Sequence, residues 1–211
     1  MRRPWLGFVI AAAALAVGVW AWPRLAPRVP THWNVRGVPD GYSPRLFAVL
    51  LVPVVIVVLN GMFRALPRID PRRVNYDKFR DTYWLFANTV CLFLLGVHVL
   101  VIASGLGYPV AMSRLLPAGM GLLFIVLGNY LSRVQPTWFV GIRTPWTLSS
   151  DAVWRKTHRT GGITFVVAGL VMVGAAFLSP TVNWIVLGIA VLGAVIVPVV
   201  QSYVLWRREQ G

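Results

Sequence analysis

Six long apolar runs separated by short polar connectors set the pattern of this chain. They extend roughly over Trp5 to Trp22, Leu46 to Phe63, Tyr83 to Ser104, Leu115 to Leu131, Ile163 to Leu178 and Trp184 to Leu205. Each approaches the ~20 residues a helix needs to cross about 30 Å of hydrocarbon. Lipid offers no partner to an open backbone, so each run is read as a helix. The fold expected is all-α: a polytopic bundle of six transmembrane helices in one membrane domain spanning residues 1–211. The first run follows Arg2 and Arg3, as in a signal peptide. It continues to Trp20 and Trp22 with no polar cleavage region, and is read as a retained anchor.

Composition agrees. Hydrophobic residues make up 57% of the chain and charged residues only 12%, against roughly 25% charged in soluble domains. The formal net charge is +14, from 20 Lys and Arg against 6 Asp and Glu. These basic residues lie between the apolar runs rather than in one block. That distribution points to membrane topology and anionic lipid headgroups, not to direct nucleic-acid binding. With the N-terminus inside, only Arg24, Arg28, Arg36, Arg45 and Arg114 fall on the outer side, so both termini are expected in the cytoplasm. Cys91 is the single cysteine and is read as a small buried hydrophobe.

Three connectors carry information. The outer one, Pro30 to Tyr42, contains Pro39-Asp40-Gly41, a turn signal, and Gly37 marks a second bend. A compact loop is expected, offering His32, Trp33, Asn34, Asp40 and Tyr42, with Gly37 and Gly41 shaping it. Interfacial anchoring and recognition of an outside ligand both fit. In the second connector, Asp70-Pro71 resembles an N-cap with proline at the first helical position, so the third helix should begin before the membrane. Arg73 with Asp77, and Asp77 with Arg80, sit at helical neighbour spacing. The basic residues around them suit anionic headgroups.

The inner connector is the densest. Gly141, Arg143, Thr144, Pro145, Trp146, Thr147, Ser149, Trp154 and His158 crowd one stretch. Thr144-Pro145 disfavours helix before the proline. Ser149 or Ser150 can cap a new helix with Asp151 in its first turn, running past His158 and Gly161-Gly162 into the fifth span. Trp138, Trp146 and Trp154 are expected at headgroup depth. Arg143, beside a tight turn, suits carbonyls, a carboxylate or a lipid phosphate. The stretch reads either as a clasp on the helix ends or as a docking site for a partner.

Gly128-Asn129-Tyr130, Trp138 through Ser149 and Val153 through His158 together resemble the SdpI family of bacterial membrane proteins, over about residues 115–205. The outer Pro30, His32-Trp33-Asn34, Gly37 and Asp40-Gly41 resemble the domain of unknown function DUF1648, over about residues 14–62. The resemblance implies an integral protein of the bacterial cell membrane that confers immunity or transduces a signal. Its implied partners are a secreted peptide toxin and a cytoplasmic transcriptional repressor.

Catalysis and metal binding need convergent groups. His32 is expected outside, His98 mid-span and His158 inside. The carboxylates Asp40, Asp70, Asp77, Asp81, Asp151 and Glu209 all lie in connectors or the tail. No catalytic residue, metal site or cofactor is assigned, and proton pumping is disfavoured. His98 is the intramembrane polar site, either neutral and bonded to a neighbouring helix or functional, with Asn88 and Asn129 as candidate partners. Residues 30–37 echo 136–143, either by chance or as the mark an inverted repeat of two three-span halves would leave. The working reading is a non-enzymatic immunity-type protein. The alternative is a small transporter or export accessory with a polar intramembrane cavity. A membrane enzyme would require Arg143, Asp151 and His158 to converge.

Overall fold

The computed structural model describes residues 4–211. Its elements, in chain order, are α1 (Leu6–Ala21), β1 (Arg28–Trp33), β2 (Pro39–Pro44), α2 (Arg45–Ile69), a 3-10 segment (Arg73–Phe79), α3 (Arg80–Gly105), α4 (Met112–Leu131), α5 (Pro145–Ser149), α6 (Asp151–Ala175) and α7 (Pro180–Gln210). Six helices are long and apolar enough to cross a membrane, and they coincide with the six runs read from the sequence. Their outward faces carry Leu122, Val167 and Ile189, the last 66% exposed. A surface this greasy is stable only in lipid. The protein is a multi-pass membrane protein.

The helices form two units. In the first, α1, α2 and α3 each pack on both others. In the second, α6 lies between α4 and α7, which touch little. Glycine sets the closest approach. A Cβ on Gly121 would lie 2.6 Å from the Gly169 carbonyl oxygen, and one on Gly128 would lie 2.7 Å from that of Gly162. The two pairs run in opposite chain directions, so α4 and α6 meet antiparallel, backbone on backbone. Small residues at such crossings give dispersion contact that lipid tails cannot match. Between the units, α3 and α4 border a cleft of about 740 Å³ in which Thr89 is the one hydrogen-bonding side chain.

The outer connector is a two-stranded antiparallel hairpin, not an irregular loop. Arg28 pairs with Pro44, Val29 with Ser43 and His32 with Gly41. Its turn is not at Pro39-Asp40-Gly41, which lies in β2. The reversal is built on Asn34. The Asn34 Oδ1 accepts from the amides of Arg36 (2.9 Å) and Val38 (3.1 Å). The Asn34 carbonyl accepts from Gly37 N, which adopts φ 79°, a conformation glycine takes without strain. A local side-chain bond of this kind sets a turn.

The echo between residues 30–37 and 136–143 does not extend to local structure. Residues 28–33 form a strand, whereas 136–143 form no regular element, and the helix triads pack differently. The shared residue types serve different local hydrogen bonds. The second connector also departs from expectation. Asp70 ends α2, and its Oδ1 accepts from Arg72 N at 2.7 Å. Helical structure resumes only at Arg73, and Asp77 pairs with Arg80 rather than Arg73.

Candidate functional site

Two polar assemblies occupy opposite ends of the helices. At one end the hairpin folds over α3 and α4. Val29 is fully buried, and a Cβ on Gly105 would meet it at 2.7 Å. Gly37 sits against Ser113. Across the strands, His32 Nδ1 and Asp40 Oδ1 lie 2.5 Å apart, and Thr31 bonds Ser43 at 2.9 Å. A Cβ on Gly41 would come within 2.8 Å of His32 Cβ, so glycine allows this close pairing. Beneath lies a cavity of about 280 Å³ lined by Thr31, His32, Trp33, Asn34, Ser113 and Trp184, with an apolar floor including Val97 and Leu116. The Trp184 indole N–H is buried without a partner. Tyr42 is half exposed, its carbonyl accepting from Arg28.

At the other end lies the cassette, residues 132–150 with the start of α6. Its centre is His158, fully buried and stacked on Trp154 with ring centroids 4.0 Å apart. His158 Nδ1 is 2.9 Å from the Trp154 carbonyl, and Nε2 is 3.0 Å from Ile142 N. A carbonyl can only accept and an amide can only donate. The ring is therefore neutral, with its proton on Nδ1. Gly141, at φ 114°, passes directly over this stack, where a Cβ would collide with His158 and Trp154. The Trp154 indole donates to the Val134 carbonyl at 2.8 Å. Trp154 is thus a core residue, not a headgroup anchor as its residue type suggested, because its N–H finds a protein partner. Trp138 is 48% exposed, as expected of an anchor. Trp146 packs on Tyr203 of α7.

Thr144 caps α5 through a reciprocal box with Thr147 and reaches Ser202 of α7 at 3.0 Å. Thr147 also donates to the Ile142 carbonyl. The threonine-proline pair is thus a helix start, absent from the sequence reading. Ser150, not Ser149, caps α6; Ser149 returns to the Trp146 carbonyl. Arg143 donates to the Trp138 carbonyl at 2.9 Å, the backbone option among its three.

Sequence reasoning missed the second connector's part in this assembly. Asp70, 2% exposed, accepts from Trp138 N (3.0 Å) and from the Tyr76 hydroxyl (2.8 Å) through Oδ2. Asn75 donates to the Pro136 carbonyl. Arg72 donates to Asp151 (2.9 Å) and to the Leu148 carbonyl (3.2 Å). The α2–α3 connector therefore clamps the cassette from one side while α7 holds it from the other. The cassette leaves exposed Ser132, Arg133, Trp138, Phe139, Arg143, Pro145 and Ser149, continuing onto Arg155, Lys156 and Arg159 of α6.

The intramembrane polar residues are not brought together. His98 is fully buried, and its ring faces the Ala14 backbone of α1 without closing a well-formed hydrogen bond. Asn88 is ten residues away along α3, about 15 Å of helix, and lines a separate cavity with Asp81 and Arg133. Asn129 is exposed on α4. Asn60 of α2, buried against Gly7, is a further polar residue the sequence reading passed over. Nor do Arg143, Asp151 and His158 converge, since each is engaged by a different partner. Among the described residues no three His, Cys, Asp or Glu side chains cluster for a metal.

A chain of six apolar helices, with a folded hairpin at one end and a clasped cassette at the other, belongs to the class of multi-pass membrane proteins. Residues 133–202, which hold most of the cassette and α7, match the SdpI/YfhL protein family. Residues 9–57, which hold α1, the hairpin and the first half of α2, match the domain of unknown function DUF1648. The chain is 21% identical over 211 residues to the immunity protein SdpI of Bacillus subtilis (strain 168), covering 100% of this chain and 99% of that protein. The resemblance read from the sequence is borne out at both ends of the chain. No solved structure matches it.

Proposed function

We propose that this chain is a non-enzymatic immunity protein of the bacterial membrane, whose hairpin engages a membrane-active peptide outside the cell and whose cassette presents the resulting state to a cytoplasmic partner such as a transcriptional repressor. The observation that carries the reading is the hairpin pocket. His32, Trp33 and Asn34 rim a cavity with a buried, unpartnered indole N–H and an apolar floor, a surface matched to an amphipathic peptide. Full-length similarity to a protein named for immunity supports the same role. The excess of Lys and Arg at the opposite end supports an outward-facing hairpin. The transporter reading lacks the polar track it needs, because the large cleft is apolar and His98, Asn88 and Asn129 stand apart.

The test is toxin challenge. A sensitive strain expressing this chain is exposed to several membrane-active peptides, and survival is compared for wild type, Trp33→Ala, Asn34→Ala and Asp40→Ala. Each variant should weaken protection while remaining in the membrane fraction. Asn34→Ala should act by loosening the turn, and Trp33→Ala by removing pocket surface. Unaltered tolerance in all three removes the hairpin from the mechanism.

A further inference from the structure

At the cassette end, beside the α2–α3 connector, lies a recess of about 690 Å³. Four arginines line it: Arg64 and Arg68 on the last turns of α2, Arg73 in the 3-10 segment and Arg80 at the start of α3. Asp77 is the one carboxylate in the lining, and Arg80 already pairs with it. Two neighbouring acids are committed elsewhere, and Asp81 lines a separate cavity. Asp70 is turned towards Trp138, and Asp151 holds Arg72. Arg64 spends part of its capacity on the Pro4 carbonyl and the Phe8 ring. Among the described residues, Arg68 and Arg73 have no protein acceptor. Among the described residues, the recess thus sets four guanidinium groups against one carboxylate.

Its other walls are apolar. Val74, 70% exposed, and Trp84 line the same recess. Apolar side chains beside arginines suit the depth where a headgroup meets the upper part of its acyl chains. Guanidinium forks match phosphate oxygens in geometry as well as charge. Basic recesses between transmembrane helices on the positively charged side recognise anionic headgroups. We propose that this recess is a binding site for an anionic phospholipid, its phosphate held by Arg68 and Arg73 with Arg64 and Arg80 flanking, and its glycerol and first methylenes against Val74 and Trp84.

The test uses the full chain in a non-ionic detergent and counts bound lipid by native mass spectrometry. Dioleoyl phosphatidylglycerol is compared with dioleoyl phosphatidylcholine, and inorganic phosphate is added as a free competitor. Phosphatidylglycerol should bind preferentially. R68Q/R73Q should lower its apparent affinity at least about tenfold, and R155Q/K156Q, which removes the same charge on α6, should not. Arg73→Gln alone, on an exposed segment, should lose at least about threefold and covers the case in which the double variant fails to fold. Equal retention of both lipids, or equal losses in the two double variants, overturns the site. Displacement by phosphate at millimolar concentration reassigns the recess to a soluble anion and overturns it as a lipid site. None of these readouts depends on a toxin.

Discussion

His158 shows how much of the cassette rests on one side chain. Its two ring nitrogens join the Trp154 carbonyl to the Ile142 amide, and its face covers Trp154. Removing it leaves a buried N–H unpaired and a void beside an indole. His158→Ala should therefore lower stability by about 2–4 kcal/mol, read as a fall in the thermal unfolding midpoint in detergent. His158→Gln should recover part of the loss by offering a side-chain acceptor. Identical midpoints for all three proteins refute this assignment. The residues themselves were legible: Gly141, Trp154 and His158 stood out by type. Their grouping was not, because periodicity on α6 puts 154 and 158 on one face but says nothing of the chain folding back at 141. Asp70 was less legible still. Its local grammar announces a helix start, while its buried oxygen serves Trp138, 68 residues away, and no local pattern encodes that partner.

At the scale of elements, the six spans were readable because hydrocarbon thickness and backbone hydrogen bonding leave few solutions. The hairpin was harder. Two turn signals lay within eight residues, and the stronger by residue type, Pro39-Asp40-Gly41, lost to Asn34 and Gly37. Asp40 and Gly41 act across the strands instead, as partners of His32. Helix packing was hidden as well, since glycines spaced seven apart on α4 and α6 do not announce which helix they face. The structure pairs Gly121 with Gly169 and Gly128 with Gly162, so substitution there must part the helices. Gly128→Ala and Gly169→Ala should each destabilise by about 1–3 kcal/mol. Gly188→Ala on α7, where a Cβ meets nothing within 4 Å, should be neutral or stabilise by up to about 1 kcal/mol through helix propensity. Detergent unfolding of the three variants checks the contrast. A Gly188→Ala loss equal to the others would mean that glycine flexibility, not close approach, is what the positions share.

At the scale of the whole molecule, the two units touch along one apolar cleft, at the hairpin, where Gly37 meets Ser113 of α4, and through the clamp that Asp70, Arg72 and Asn75 place on the cassette. A signal entering at the hairpin has to cross by one of those routes, and it must favour one of two conformations to be a signal at all. Everything in that chain of events depends on which end faces out. The basic residues at the cassette end, Arg64, Arg68, Arg72, Arg73, Arg155, Lys156 and Arg159, outnumber those at the hairpin end, so the cassette is expected in the cytoplasm. Exposure makes the expectation measurable. Val35 at the hairpin tip is 53% exposed and Ser149 faces solvent, whereas Cys91 is 1% exposed and should stay silent towards a membrane-impermeant maleimide. In intact cells Val35→Cys should label and Ser149→Cys should label only after permeabilisation. The reverse pattern would turn the molecule over. It would put the arginine recess against the outer leaflet, leave the hairpin out of reach of an external peptide, and expose the cassette's aromatic and basic surface to the exterior.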